Sequence, residues 1–191
     1  MTVLGGVDKI LREIEVSRRD VFLPIIGPEK GRILDNAVSK KMPKLILEIG
    51  TLVGYSAIRM ARLLTEEGRI ICVEKNPESA SKAERNIERA GFAEKVKVVV
   101  GDAKKVIPTL DRIFDFVFID AEKKEYLIYL KLVEKKLRKG GVVVADNALI
   151  SADEMKDYLD YVRNSGKYES RYVEPEFRGD FKDAVEISVK Q

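Results

Sequence analysis

Two apolar runs end in the side chains best suited to chemistry. F-D-F-V-F-I runs into Asp120, with Lys123 three residues later, and V-V-V-A runs into Asp146 and Asn147. Two carboxylates and an amide on one rim form a partial oxygen cage for a hard divalent cation, with positions left for water and substrate. Singly, Asp120 and Asp146 read as caps of the segments that follow, and Lys123 as a solvated residue in the first turn of a helix. Together, with Asn147 adjacent, they point to a metal.

A second group lies in L-E-I-G-T-L-V-G-Y-S, residues 47–56. Gly50 and Gly54 tighten a turn and let backbone approach a ligand before a helix begins. Glu74 closes the next apolar run, twenty-four residues after Gly50, where an acidic side chain accepts hydrogen bonds from both hydroxyls of a ribose. The spacing is G-x-x-x-G rather than the dinucleotide G-x-G-x-x-G, so a pyrophosphate cradle has little support. Glu48 inside the turn also disfavours a phosphate and suits an ammonium group. S-adenosylmethionine, a nucleoside carrying an amino acid, satisfies Glu48, the glycine turn and Glu74 together. The plain alternative is a glycine turn at a helix start with a solvated Glu.

Absences narrow the chemistry. The 191 residues contain no His and one Cys, Cys72. His-based triads, His-ligated zinc, a His general base and disulfide scaffolds within the chain are therefore excluded. Oxygen ligation favours Mg2+, Mn2+ or Ca2+, and the base is Asp, Glu, Lys or Tyr. Lys and Arg total 35 against 32 Asp and Glu, a net +3, too small a bias to mark a nucleic-acid binder. No apolar run reaches ~18 residues and no signal-peptide core opens the chain, so a soluble, cytoplasmic protein is expected.

The elements that must position these groups alternate in period. Helical spacing occupies Val7–Val16, Lys30–Ala37, Tyr55–Thr65, Pro77–Gly91, Ala103–Leu110, Lys123–Leu137 and Ala152–Asn164. Strand-like runs occupy Lys44–Gly50, Arg69–Glu74, Lys95–Gly101, Phe114–Asp120, Gly141–Asp146, Tyr168–Glu174 and Ala184–Val189. Continuously apolar strands alternating with helices predict a doubly wound α/β fold, a mostly parallel seven-stranded sheet covered on both faces. No helix separates the last two strands, so an antiparallel last strand is expected. One domain over 1–191 is expected, with N-terminal helices in 1–43 and the sheet core in 44–191. Ligands of such sheets bind beyond the carboxyl ends of the strands, where both groups of residues fall.

From about Gly27 to Asn147 the sequence resembles the small metal-dependent catechol-type O-methyltransferases, the group of catechol and caffeoyl-CoA O-methyltransferases. The resemblance rests jointly on G-P-E-K-G-R-I-L, L-E-I-G-T-L-V-G-Y-S-A, V-E-K-N-P, D-A-E-K-K-E-Y and A-D-N; the last forty residues match loosely, through D-A-V near Asp183. It implies a Rossmann-like methyltransferase fold and transfer of methyl from S-adenosylmethionine to a hydroxyl of a catechol-like small molecule. By the same resemblance Asp120, Asp146 and Asn147 would hold the metal and Lys123 would take the hydroxyl proton. Glu74 would hold the ribose, Ser56 the methionine carboxylate and Glu48 its amino group. Gly50 would admit the cofactor, Ile26 and Ala103 would line its two ends, and Asp120 would touch it as well as the metal. Several relatives are dimers, which makes a homodimer through the N-terminal helix an expectation.

The chain departs from the mammalian catechol enzymes at Leu52, where they carry an aromatic, and at Ala121–Glu122, where they carry His-Trp. Phe22, Tyr172 and Phe177 are candidate replacements for the missing ring walls, and Glu174 and Glu176 for the acidic residue that accepts a second substrate hydroxyl. A transfer-RNA methyltransferase and a non-catalytic S-adenosylmethionine-binding module are the rivals on this fold. The first is disfavoured by D-A-E-K where adenine-amino methyltransferases carry a Pro-Pro tetrapeptide. The second has no need of Asp120, Lys123, Asp146 and Asn147 together. A nicotinamide oxidoreductase is disfavoured by the glycine spacing.

Overall fold

The structure, a computed structural model, describes residues 6–18, 21–176 and 182–191. Seven strands form one sheet: β1 (Leu45–Ile49), β2 (Arg69–Glu74), β3 (Val96–Val100), β4 (Phe114–Ile119), β5 (Leu137–Ala145), β6 (Tyr168–Val173) and β7 (Val185–Lys190). Their order is β3-β2-β1-β4-β5-β7-β6. Neighbours among β1–β5 are parallel, and β7 runs antiparallel to both β5 and β6. This is the mostly parallel sheet with an antiparallel last strand that the spacing predicts.

The pleat sends alternate residues to opposite faces. Ile46, Cys72, Phe116, Phe118 and Val144 pack with α1 (Gly6–Ser17), α2 (Gly27–Lys41), α3 (Tyr55–Ala61) and α4 (Pro77–Arg89). Leu47, Ile49, Val117, Ile119 and Val143 pack with α5 (Ala103–Thr109), α6 (Tyr126–Glu134) and α7 (Lys156–Asn164). Every residue of β4 is buried, as a strand covered on both faces must be. No helix among the described residues is long and apolar enough to cross a membrane.

The boundaries differ at several places, and α2 runs Gly27–Lys41 rather than Lys30–Ala37. Lys123–Leu137 is not one helix: a 3-10 turn covers Lys123–Glu125, α6 ends at Glu134, and Leu137 already opens β5 by pairing with Phe114. Gly140, at φ 70°, lies where the β4–β5 register shifts, so the strand resumes after a bend that glycine accepts without strain. α3 stops at Ala61 rather than Thr65, and α7 starts at Lys156 rather than Ala152.

Order reverses between β1 and β4, the position at which open α/β sheets leave a crevice. The ladder continues past the strands there. Gly50 N–H donates to Val73 O at 2.9 Å, Asp120 N–H to Ile49 O at 2.9 Å, and Asp146 N–H to Ile119 O at 3.0 Å. These bonds bring Glu74, Gly50, Asp120 and Asp146 to one rim.

Candidate active site

A cavity of about 1200 Å3 opens on that rim. Of the residues singled out in the sequence, Ile26, Gly50, Ser56, Glu74, Ala103, Asp120, Lys123, Asp146 and Asn147 line it; Glu48 does not.

Its β1–β2 side is made largely of backbone held in place from behind. Glu74 Oε2 accepts from the N–H of Thr51 at 3.1 Å and of Leu52 at 2.8 Å, and Oε1 from Asn76 N–H at 2.8 Å. One carboxylate thus fixes the turn after β1 while facing the cavity. The two glycines serve the chain itself. A side chain on Gly50 would collide with the backbone carbonyl of Asp120, and one on Gly54 would press on Ala83 of α4. Both have φ 85°. The space a side chain on Gly50 would need is taken by Asp120, and Gly50 meets the cavity through its backbone.

Glu48 lies behind the cavity wall rather than on it. It points to the face that carries α1–α4, beneath the start of α3, and is fully buried. Its oxygens accept from the hydroxyls of Ser56 and Thr51. The pleat explains this: Leu47 and Ile49 point to the opposite face, and Glu48 meets the cavity through Thr51 and Ser56, which line it. Burial pushes its carboxyl up to about 7, against the pull of the Ser56 and Thr51 hydrogen bonds. Ser56 borders the cavity but turns its hydroxyl to Glu48 rather than toward a ligand.

The β4–β5 side is a cluster of charges. Lys123 Nζ donates to Asp120 Oδ1 at 2.9 Å and to Tyr126 Oη at 2.8 Å. It is a half-buried member of a network rather than a solvated side chain, because the 3-10 turn folds it back over Asp120. Asp146 is 2% exposed. Lys30, from α2, places Nζ 2.7 Å from Asp146 Oδ1 and donates to Asp183 Oδ2. Asp183, just before β7, also accepts from Asn147 Nδ2 at 2.8 Å and Ile150 N–H at 3.3 Å. Asn147 sits at φ 63°, in the left-handed region, which Asn tolerates better than most side chains.

Lys30 and Asp183 were not singled out as site residues from the sequence. Lys30 lies in G-P-E-K-G-R-I-L, one of the stretches that carry the resemblance, and Asp183 in D-A-V, where the resemblance is loose. The available signal was a charge set among residues bound for burial.

A divalent cation fits this side. Asp146 Oδ1 is buried, with the Lys30 ammonium 2.7 Å away. Burial and the neighbouring Asp120 push the Asp146 carboxyl up to about 7 even against Lys30, so the cluster is short of positive charge. Asp183 is the opposite case: burial raises it, Lys30 outweighs burial, and its carboxyl lies below the ordinary value. The nearby donors are oxygens, as Mg2+ and Mn2+ prefer. Among the described residues no group of three His, Cys, Asp or Glu forms a cation site; the amide of Asn147 would have to complete the set.

Phe22, 93% exposed, and Ile150, 50% exposed, border the same cavity and give it an apolar lip. Tyr172, Glu174 and Glu176 are not among its described wall residues, and Phe177 lies outside the described residues.

A family model described as O-methyltransferase matches residues 8–163. A zebrafish (Danio rerio) catechol O-methyltransferase B is 40% identical over 178 residues, covering 90% of this chain and 64% of that protein. The catechol O-methyltransferase of Sus scrofa is 39% identical over 160 residues, covering 78% and 85%. Among solved structures, an O-methyltransferase from Bacillus cereus in complex with SAH superposes with a TM-score of 0.85 at 26% identity, covering 96% of this chain and 91% of that one.

Proposed function

The chain belongs to the O-methyltransferase family, and from that premise we propose that it transfers methyl from S-adenosylmethionine to a hydroxyl of a catechol-like small molecule with the help of a divalent cation. The observation that carries the proposal is the sharing of one cavity by Glu74 and the turn after β1 with Asp120, Lys123, Asp146 and Asn147. A binding module needs the first set alone. The names of the relatives and the SAH complex of the Bacillus cereus protein support the same reading.

When bound, the cofactor supplies an electrophilic methyl group and the cation supplies charge that favours loss of the acceptor's hydroxyl proton. This chain does the rest. Glu74 retains acceptor capacity toward ribose hydroxyls while it pins the turn. Asp120, Asp146 and the Asn147 amide oxygen are the candidate ligands of the cation, and Asp120 also borders the cofactor space. Lys123 Nζ is the group placed to receive the acceptor's proton. Asp120 and Tyr126 hold its amine at the cavity wall, which suits a positioned base. Phe22 and Ile150 offer apolar surface to a ring, replacing the aromatic walls that this chain lacks at Leu52 and at Ala121–Glu122.

The direct test is methyl transfer from radiolabelled S-adenosylmethionine to catechol, to a carboxylated catechol and to bulk transfer RNA, each with Mg2+ and with excess chelator. Mg2+-dependent labelling of a catechol is the expected result. Labelling of RNA alone would replace the proposed acceptor, and cofactor binding without transfer to any acceptor would reduce the protein to a binding module.

A further inference from the structure

Asp183 lies outside the proposed cation ligands, yet it organises them. Its side chain is 2% exposed. It receives three donors from two parts of the chain: Lys30 Nζ from α2, and Asn147 Nδ2 and the Ile150 N–H from the loop after β5. All three partners only donate at these contacts. The position therefore calls for a group that accepts on both of its atoms, which a carboxylate does and an amide does not.

The consequence falls on Asn147. A side-chain amide has an oxygen and a nitrogen on opposite prongs, and only the oxygen ligates a hard cation. Asp183 binds the nitrogen prong at 2.8 Å, which leaves the oxygen prong for the cavity that Asn147 lines. Asp183 also shares the Lys30 ammonium with Asp146. Without Asp183 that ammonium has Asp146 as its remaining partner and competes with a metal for it.

We propose that Asp183 is a positioning residue of the cation site: it fixes the amide of Asn147 with its oxygen toward the cavity and draws Lys30 partly away from Asp146. The inference rests on the cation reading of the preceding subsection. Partners that orient metal ligands in this way typically contribute ~10- to 100-fold to metal affinity.

The test is Mn2+ binding to the purified full chain in the presence of S-adenosylhomocysteine, followed by the electron-paramagnetic signal of free Mn2+. Asp183→Ala is expected to weaken Mn2+ binding ~10- to 100-fold. Asp183→Asn should fall between it and the unmodified chain, because its oxygen still accepts from Asn147 while the charge is lost. S-adenosylhomocysteine affinity, measured by calorimetry, should stay within about twofold in both, which a loss of general stability would not leave untouched. Mn2+ affinity within about twofold of the unmodified chain in folded Asp183→Ala overturns the inference. Equal losses in the two variants reduce Asp183 to its charge and also overturn it.

If Asp183→Ala does not fold, 15N spectra of the unmodified chain decide. The Asn147 side-chain NH2 pair, identified by its disappearance in Asn147→Asp, should exchange slowly with solvent and shift on addition of Mg2+ while remaining protected. A freely exchanging pair rejects the proposed orientation. Failure of the unmodified chain to bind Mn2+ at all is the separate result that removes the cation reading itself.

Discussion

The two sides of the cavity are built on opposite principles. On the β1–β2 side, a short segment of chain contributes residues 49–52, Tyr55 and Ser56 to the wall, and its shape is set by hydrogen bonds: Glu74 accepts from the amides of Thr51 and Leu52, and Glu48 from the hydroxyls of Thr51 and Ser56. On the β4–β5 side, side chains from distant parts of the chain meet in a charged cluster: Lys30 and Asp183 are 153 residues apart, and Asn147 reaches Asp183 across 36. The first side is local, and its carboxylates face hydroxyl and amide donors. The second depends on the docking of α2 and β7 against the sheet, and its carboxylates share too few cations. A site built like the first is suited to hold a neutral or zwitterionic nucleoside. One built like the second is suited to take up a cation and to move a proton beside it.

Three perturbations test that division, beginning with the largest. Exhaustive chelation is expected to abolish methyl transfer, since it removes the charge that the β4–β5 side lacks, while S-adenosylhomocysteine binding by calorimetry stays within about threefold, a modest change at ~1.4 kcal/mol per decade. Full turnover in excess chelator would erase the distinction between the sides. Lys123→Met acts on the charged side alone. Loss of a general base lowers kcat by ~100- to 10,000-fold, and cofactor affinity should be unchanged; a surface residue replaced in the same way changes stability by no more than ~0.5 kcal/mol and leaves kcat alone. Steady-state kinetics on catechol separate the two outcomes. A more acidic catechol should recover part of the rate, because it gives up its proton with less help.

Glu74→Ala makes the reciprocal perturbation. Hydrogen bonds to a charged acceptor contribute ~1.5–3 kcal/mol, so cofactor affinity should drop roughly 10- to 100-fold. In this structure the same carboxylate also pins the amides of Thr51 and Leu52, and Leu52 holds φ 49°. Part of the loss therefore comes from a loosened turn. Mn2+ affinity should not follow; a parallel loss of both affinities in calorimetry would mean that the two sides are one coupled unit.

The same division explains what is legible in the sequence. The central strands are legible because each carries a mainly apolar run, such as L-I-L-E-I in β1 and V-V-V-A at the end of β5, whereas β6, Y-E-S-R-Y-V, is half polar. The rim residues Glu74, Gly50, Asp120, Asp146 and Asn147 follow from the rule that ligands sit beyond strand ends. The face taken by Glu48 depends on pleat phase: a residue one step from Ile49 points to the other side of the sheet. The roles of Lys30 and Asp183 are long-range. Their mutual ion pair spans 153 residues, and burying a Lys at 8% exposure is tolerated because two carboxylates arrive from elsewhere. The 3-10 turn at Lys123 is hidden for a different reason, since its residues have the composition of an ordinary helical first turn.

Glu48 offers the smallest and most specific test, because it asks whether the local side contains a buried charge at all. Its carboxyl is fully buried and raised from 4.5 to about 7, with burial as the leading cause. A raised carboxyl binds its proton more tightly in the folded chain than in the unfolded one. Between about pH 4.5 and 7 the folded chain keeps a proton that the unfolded chain has lost, so stability falls as pH rises through that window and levels above it. Asp146, also raised to about 7, acts in the same direction, so a pH scan of the unmodified chain cannot assign the effect. Glu48→Gln isolates it. The hydroxyls of Ser56 and Thr51 donate or accept as required, and Gln mimics the protonated carboxyl at nearly equal volume. At pH 4.5 the variant should match the unmodified chain in urea unfolding. At pH 8 it should be more stable by about 3 kcal/mol, on ~1.36 kcal/mol for each pKa unit between 4.5 and 7. A variant equally destabilised at both pH values would mean that Glu48 is ionised throughout and that its hydrogen bonds, rather than a bound proton, hold the turn before α3.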